Sequence, residues 1–183
     1  MDPTNRHSQA PDQGHAPSRE EVWSASARPI RLAGSMLRVS RQSRHICAFF
    51  HSHEEEYHVL LPFIKEGFEL GEKTFHIVDP TRRAAHLQRL AAAGIDTAVA
   101  QQRGQFELCT WTEVHLRDGS FDPDRIGALI EAVVTSARQQ GFPRTRFITH
   151  MEWALEARFG VAAVLEYEAK ANYGRLRDHD PVI

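Results

Sequence analysis

The sequence predicts an α/β fold, with a mostly parallel sheet flanked by helices, and three observations indicate it. Short apolar segments bounded by turn residues recur along the chain, and amphipathic segments of helical period lie between them. Strands that alternate with helices favour parallel pairing and right-handed crossovers. The first apolar segment has no polar face, as expected of a strand that is covered on both sides. The 183 residues are therefore interpreted as one domain preceded by a polar tail.

Four strands are predicted, and they are Arg44–Phe50, Lys73–Val78, Phe106–Trp111 and Arg146–His150. A helix should join the first two strands, because Ser52 is a suitable N-cap and Glu55 completes a capping box. Pro62 lies within the apolar stripe of this helix and predicts a kink or a later helix start. The clearest helix begins at Asp122 and Pro123, where apolar residues follow at helical spacing.

Residues 1–40 are polar and aperiodic, so they are predicted to form a disordered tail, to which residues 30–39 could add a short ordered lead-in. Residues 41–183 then form the single α/β domain. The net charge of −2 argues against direct nucleic-acid binding. No apolar run reaches the roughly 18 residues of a membrane span, and no signal peptide is recognisable. A cytoplasmic protein with reduced thiols at Cys47 and Cys109 is expected.

One glycine-rich segment, residues 67–74, looks like a phosphate-binding P-loop but fails two criteria. In a P-loop the lysine directly follows the second glycine, whereas Lys73 is separated from Gly71 by Glu72. A P-loop also follows a strand and opens a helix, whereas this segment ends a predicted helix and opens a strand. The sequence therefore predicts a domain without a functional P-loop.

Side chains that could line a small-molecule pocket follow the carboxyl ends of the predicted strands, where ligands bind in open parallel sheets. These residues are His51, Asp79, Trp111, Glu113, His150, Glu152 and Trp153. Aromatic walls with a few polar anchors are typical of such pockets. The alternative is that Asp79 only caps a helix and that Trp153 only packs the last helix. His76 lies in the middle of a strand and is predicted to be a satisfied core histidine.

His45 and Cys47 form a second candidate site, because residues two apart on a strand share a face. Such a pair can stabilise a thiolate, bind a metal or shape a small polar pocket. The alternative is that Cys47 packs in the core, as cysteines commonly do. The pattern assigns no particular metal or cofactor.

An ordered set of motifs between residues 45 and 172 resembles the MEDS family, the methanogen/methylotroph dichloromethane-regulator sensory domain. The matching segments include His45-Ile46-Cys47-Ala48-Phe49-Phe50, Asp79-Pro80, Gly104-Gln105-Phe106, Phe121-Asp122-Pro123-Asp124, Met151 with Trp153-Ala154-Leu155, and Glu166-Tyr167-Glu168-Ala169 with Asn172. The resemblance implies a RecA/KaiC-like fold without a working P-loop. It also implies that the protein senses a small organic molecule and that His45 and Cys47 belong to the ligand site.

Family members usually carry one more strand after the helix that contains Asn172, so this chain is expected to lack its last strand. No output module is recognised. We therefore expect a stand-alone sensor that signals through a separate protein (a kinase, an anti-sigma factor or a transcription regulator) or through self-association.

Two alternative functions remain open, although the resemblance favours a sensor. One is an enzyme that uses His150 and Glu152 as acid and base, or His51 and Asp79 as metal ligands. The other is a thiol redox sensor that acts through Cys47.

Overall fold

The computed structural model describes residues 30–32, 35–37, 45–155 and 161–173 of the protein. The predicted tail before residue 30, Arg44 and the expected position of a last strand after residue 173 lie outside the described residues. Two short strands, β1 (Ile30–Leu32) and β2 (Ser35–Leu37), fall within the predicted lead-in and pair antiparallel with each other.

Strands and helices alternate through the rest of the described chain, so the α/β prediction is confirmed. The helices are α1 (His53–Glu69), α2 (Arg83–Ala92), α3 (Thr97–Gln102), α4 (Pro123–Gln139) and α5 (Val161–Tyr173). The strands are β3 (Lys73–Val78), β4 (Phe106–Thr110) and β5 (Thr145–Thr149). These three strands agree with the predicted ones to within one residue at each end.

The three longer strands form a parallel sheet in the order β4-β3-β5, with β3 in the centre. Every residue of β3 is buried, which explains why its sequence lacks a consistently polar face. The chain leaves β3 for one neighbour, β4, and then returns to the other side of β3 as β5. Right-handed crossovers therefore place α2 and α3 on one face of the sheet and α4 on the opposite face.

The hydrophobic core consists of one layer on each face of this sheet. One layer packs α1 and α2 against the sheet and includes Ile64, Leu90 and Phe106. The other packs α4 and α5 against the sheet and includes Ile130 and Tyr167.

The predicted first strand, Arg44–Phe50, is wrong. Residues 45–50 have no regular secondary structure, and the Phe49 side chain is 94% exposed. An apolar run becomes a strand only where a neighbouring strand accepts its backbone hydrogen bonds. Within the described chain neither edge strand, β4 nor β5, pairs with this segment. The segment instead leads into α1 as irregular, partly exposed chain.

Helix α1 begins where the capping signal predicts it. The Ser52 hydroxyl accepts a hydrogen bond from the Glu55 backbone N–H at 3.2 Å, and the Glu55 carboxylate accepts one from the His51 N–H at 2.7 Å. The capping box is thus confirmed, with its second bond shifted by one residue toward the N-terminus. The alternative of a later helix start is wrong, because the helix continues from His53 through Pro62.

The glycine-rich segment is a turn from a helix into a strand, as its context predicts. Gly71 adopts a φ of +68°, in the left-handed region that favours glycine at helix ends. Lys73 is the first residue of β3, and its buried ammonium donates to the Gly104 carbonyl at 2.6 Å and to the Glu107 carboxylate. The lysine therefore ties β3 to β4.

Candidate functional site

Four charged or polar side chains meet at the carboxyl ends of β3 and β5, and we call them the strand-end network: Glu56, Arg82, His150 and Glu152. The Arg82 guanidinium donates to Glu56 Oε2 at 2.6 Å and to Glu152 Oε1 at 2.8 Å. The Nε2 of His150 lies 2.9 Å from Glu56 Oε1, close enough for an ion pair although its angle falls short of hydrogen-bond geometry. Strand order reverses at this position, which is where open α/β sheets bind ligands.

Local structure accounts for this convergence. Glu56 lies in the first turn of α1, where the helix dipole favours a carboxylate. Arg82 ends the short 3₁₀ turn Pro80–Arg82, whose start is capped by the Asp79 carboxylate at 2.7 Å from the Thr81 N–H. His150 directly follows β5, and its Nδ1 accepts from the Asp79 N–H at 3.4 Å.

The Glu56 carboxylate remains ionised in this buried setting. Burial by itself would raise the pKa of Glu56, but the close contacts of its carboxylate with His150 and Arg82 outweigh burial and lower the pKa to about 2. Glu56 and Arg82 therefore form a charged pair near neutral pH.

A chain of three side chains, the histidine relay, lies beside the strand-end network. The Tyr57 hydroxyl is 2.7 Å from His86 Nδ1, and His86 Nε2 is 2.8 Å from His76 Nδ1. The expectation for His76 is therefore met only in part: it is fully buried, but its Nε2 has no hydrogen-bond partner among the described residues. Burial, with the charges of neighbouring histidines, lowers the pKa of His86 to about 4 and that of His76 well below its usual value. Both imidazoles are neutral at pH 7.

The second candidate pair acquires a third member in the structure, and we call the three the triad: His45, Cys47 and Glu168. His45 Nε2 lies 3.1 Å from Glu168 Oε2, the Cys47 thiol lies 3.4 Å from the same oxygen, and the sulfur lies 3.9 Å from His45 Nε2. Cys47 is exposed, so it is not the core cysteine of the alternative interpretation. His45 and Glu168 are partly buried.

The electrostatics of the triad keep the Cys47 thiol protonated. Partial burial raises the pKa of Cys47, and the charge and hydrogen bond of Glu168 raise it further. A reactive thiolate needs a positive environment, and here the nearest charged partner is a carboxylate.

An aromatic cluster lies near the triad. Burial raises the pKa of its member Tyr167, and the nearby charges of Glu168 and Cys47 raise it further. The cluster members are His115, Phe121, Trp153 and Tyr167, with ring centroids 4.8 Å apart for Phe121 and Trp153 and 5.2 Å apart for His115 and Trp153. His115 is fully buried, and neither of its ring nitrogens has a hydrogen-bond partner among the described residues. Burial lowers the pKa of His115 to about 4.

The structure separates the remaining predicted site residues. Glu113 folds back onto its own strand end, where its carboxylate accepts from the Thr110 N–H at 2.6 Å. Trp111 is partly buried against the core layer under α4. The His51 side chain is exposed, and Trp153 is buried within the aromatic cluster.

Sequence reasoning missed the residues that complete both sites. Glu56 is visible in the sequence only as one of three acidic residues in a helix first turn, and Arg82 carries no signal of its own. Glu168 appears only within a matching motif, and nothing in its local sequence connects it to Cys47, 121 positions away.

The model of a known family, MEDS (methanogen/methylotroph, DcmR sensory domain), matches residues 44–183. The chain belongs to the MEDS family. Neither the curated proteins nor the solved structures include a match to it. The triad residues of this MEDS domain all lie within the matched range. Among its described helices, none combines the length and the apolar character that a membrane span needs.

Proposed function

We propose that this MEDS domain binds a small organic molecule at the triad and passes the bound state to a separate signalling protein or to a second copy of itself, in the cytoplasm. Membership of a sensory family supports the sensing role. The observation that carries the choice of site is the convergence of His45, Cys47 and Glu168 from two distant parts of the chain. A site assembled from distant segments can change their relative position when it is occupied.

The chemistry of the triad suits a small ligand. An imidazole, a thiol and a carboxylate offer both donors and acceptors within 3.9 Å of one another, and Cys47 is accessible from solvent.

The position of the triad offers a route to a partner. Residues 45–50 run directly from the triad to the Ser52 cap of α1, and the first turn of α1 carries Glu56 of the strand-end network. Phe49 lies between them and is 94% exposed, so it presents an apolar side chain on the segment that a ligand would displace. A partner protein that binds this segment would therefore respond to whether the triad holds a ligand.

The structure offers less support for the two alternatives. A catalytic acid or base must be free to reach the proton that it transfers. At the strand ends, however, His150 Nε2 lies 2.9 Å from Glu56 Oε1, and Glu152 Oε1 accepts from Arg82 at 2.8 Å. A redox sensor at Cys47 needs a thiolate, which partial burial and the Glu168 carboxylate both disfavour because they raise the pKa of the thiol.

The proposal is tested by native mass spectrometry of the purified protein, followed by thermal shift with dichloromethane and methanol as probes. We expect a retained small molecule or a probe-dependent rise in melting temperature in the wild-type protein, because a ligand stabilises the state that it binds. The variants His45→Ala and Glu168→Gln should lose this response.

Glu166→Gln is the matched control, because Glu166 lies on the same helix and pairs with Lys170 at 3.1 Å, away from the triad. It should keep the wild-type response. A response that survives in both triad variants, or one that Glu152→Gln removes instead, would move the site to the strand ends and contradict the proposal.

A further inference from the structure

The three donor atoms of the triad are spaced as the ligands of a tetrahedral metal ion are. With Zn²⁺ at about 2.3 Å from sulfur and about 2.1 Å from nitrogen and oxygen, tetrahedral geometry separates the donor atoms by about 3.4 to 3.6 Å. The observed separations are 3.1 Å between His45 Nε2 and Glu168 Oε2, 3.4 Å between Cys47 Sγ and the same oxygen, and 3.9 Å between sulfur and nitrogen. Each observed separation is therefore within about 0.3 Å of its tetrahedral value.

The donor types also agree with such an ion. A mixed set of thiolate, imidazole and carboxylate suits Zn²⁺ and similar borderline cations, whereas Mg²⁺ and Ca²⁺ require oxygen ligands throughout. Among the described residues, this is the one group of three or more histidine, cysteine and acidic side chains with donor atoms within 4.8 Å of one another.

A bound divalent cation would balance the charges that the triad acquires when the thiol ionises. If the Cys47 thiol ionises beside the Glu168 carboxylate, two negative charges stand 3.4 Å apart, and without a cation they repel each other. A divalent ion neutralises both charges at once. The imidazole of His45 contributes a neutral lone pair.

We propose that the triad of this protein is a binding site for Zn²⁺ or a cation of the same class, held by His45 Nε2, Cys47 Sγ and a Glu168 carboxylate oxygen. Three protein ligands leave a fourth position for a donor atom of a small molecule, as in zinc sites that are not purely structural. The inference rests on the proposed function, because it assigns the chemistry of the same three side chains.

Binding is coupled to a proton, which gives a second readout. The thiol loses its proton when sulfur bonds to the metal, so each Zn²⁺ taken up at pH 7 releases about one proton to the buffer. Zn²⁺ affinity should therefore rise with pH.

The test uses the full chain, stripped of metal with a chelator and titrated with Zn²⁺ against a chromophoric competitor. Co²⁺ serves as a second probe, because tetrahedral cobalt with a thiolate ligand absorbs visible and near-ultraviolet light. We expect one ion per chain. The affinity should fall at least about tenfold in Cys47→Ser and in Glu168→Gln, since loss of even an outer hydrogen bond costs about that much.

Two control variants make the result specific. Cys109→Ser removes the other thiol, which is partly buried in β4, and Glu166→Gln removes a carboxylate from the same helix as Glu168. Both should bind Zn²⁺ as the wild-type protein does. Wild-type protein that takes up no Zn²⁺, or that binds it no more tightly than Cys47→Ser, overturns the metal site.

The proposed ligand site and the proposed metal site can be refuted independently of each other. A stabilising response to dichloromethane or methanol in the metal-free protein, with no Zn²⁺ uptake, keeps the sensory site and refutes the metal. Stoichiometric Zn²⁺ binding with no response to either probe supports the metal and counts against the proposed ligand class.

Discussion

The buried histidines predict an unusual sensitivity of this domain to mild acid. His86 and His115 each have a pKa of about 4 in the folded protein, whereas the value in an unfolded chain is about 6.5. Because the unfolded chain binds these protons at higher pH, unfolding takes up protons between pH 6.5 and pH 4. The free energy of unfolding therefore falls as the pH is lowered through this window. It reaches its full value only above pH 6.5.

The size of the effect follows from the same two values. A histidine whose pKa drops from about 6.5 to about 4 on folding contributes about 2 kcal/mol less stability at pH 5 than at pH 7.5. His86 and His115 together give about 4 kcal/mol, and His76 acts in the same direction. This loss is large against a typical total stability of about 5–15 kcal/mol.

The test is urea denaturation of the wild-type protein and of His115→Leu at pH 7.5 and pH 5. The substitution removes an imidazole that has no hydrogen-bond partner among the described residues and leaves an apolar side chain among aromatic rings. We expect stability at pH 7.5 to be equal or higher in the variant, since a buried unpaired polar group costs about 1–3 kcal/mol. The loss between the two pH values should shrink by about 2 kcal/mol.

The exposed residue His58 provides the control, and His58→Gln should keep the wild-type pH dependence. Equal pH dependence in the wild-type protein and His115→Leu would refute the reasoning, because it would mean that His115 is not buried in its neutral form.

Three further predictions concern the framework. Glu72→Gln leaves the buried Arg146 guanidinium without one of its carboxylates, so the free energy of unfolding measured with urea should fall by about 3–5 kcal/mol. A fall of less than about 1 kcal/mol would contradict the paired arrangement. Gly67→Ala places a Cβ 2.8 Å from Arg146 Cδ, so the free energy of unfolding should fall by about 1–3 kcal/mol in the same assay. An unchanged free energy of unfolding would show that this contact is not tight. Lys73→Ala should destabilise the protein yet leave any ATP affinity in calorimetry unchanged, and a large loss of affinity would show that the lysine binds phosphate.

The three strands of the sheet could be predicted closely because each is a short apolar run between clear helix or turn signals. The central strand, Lys73–Val78, was predicted with its observed bounds. Residues 44–50 form an equally apolar run, but the described residues 45–50 do not form a strand. Strand formation depends on a partner elsewhere in the fold, and local sequence carries no information about whether an edge is available. Phe49 is 94% exposed, so its apolar side chain did not ensure that this segment would be buried as a strand.

The candidate sites were predictable only in part, for a related reason. Topology could indicate that His150 and Glu152 lie near a strand-end crevice, since the carboxyl ends of parallel strands share one edge. It could not indicate that Glu56 and Arg82 reach into the same place, because a side chain in a helix first turn has no sequence signal for its distant neighbours. His45 and Cys47 were recognised as a pair, whereas Glu168 needed the folded chain.

The charged side chains at the strand ends are already paired with one another, and this bears on where a ligand binds. Both carboxylate oxygens of Glu56 already face cations or imidazole, and Arg82 spans from Glu56 to Glu152. A ligand at that position would have to break a buried ion pair, which costs about 3–5 kcal/mol when a partner is lost. At the triad the contacts that a ligand would replace are less buried, because Cys47 is exposed and His45 and Glu168 are only partly buried. The proposed function therefore divides the roles: the triad would receive the ligand, and the strand-end network would hold the first turn of α1, to which the triad segment is joined.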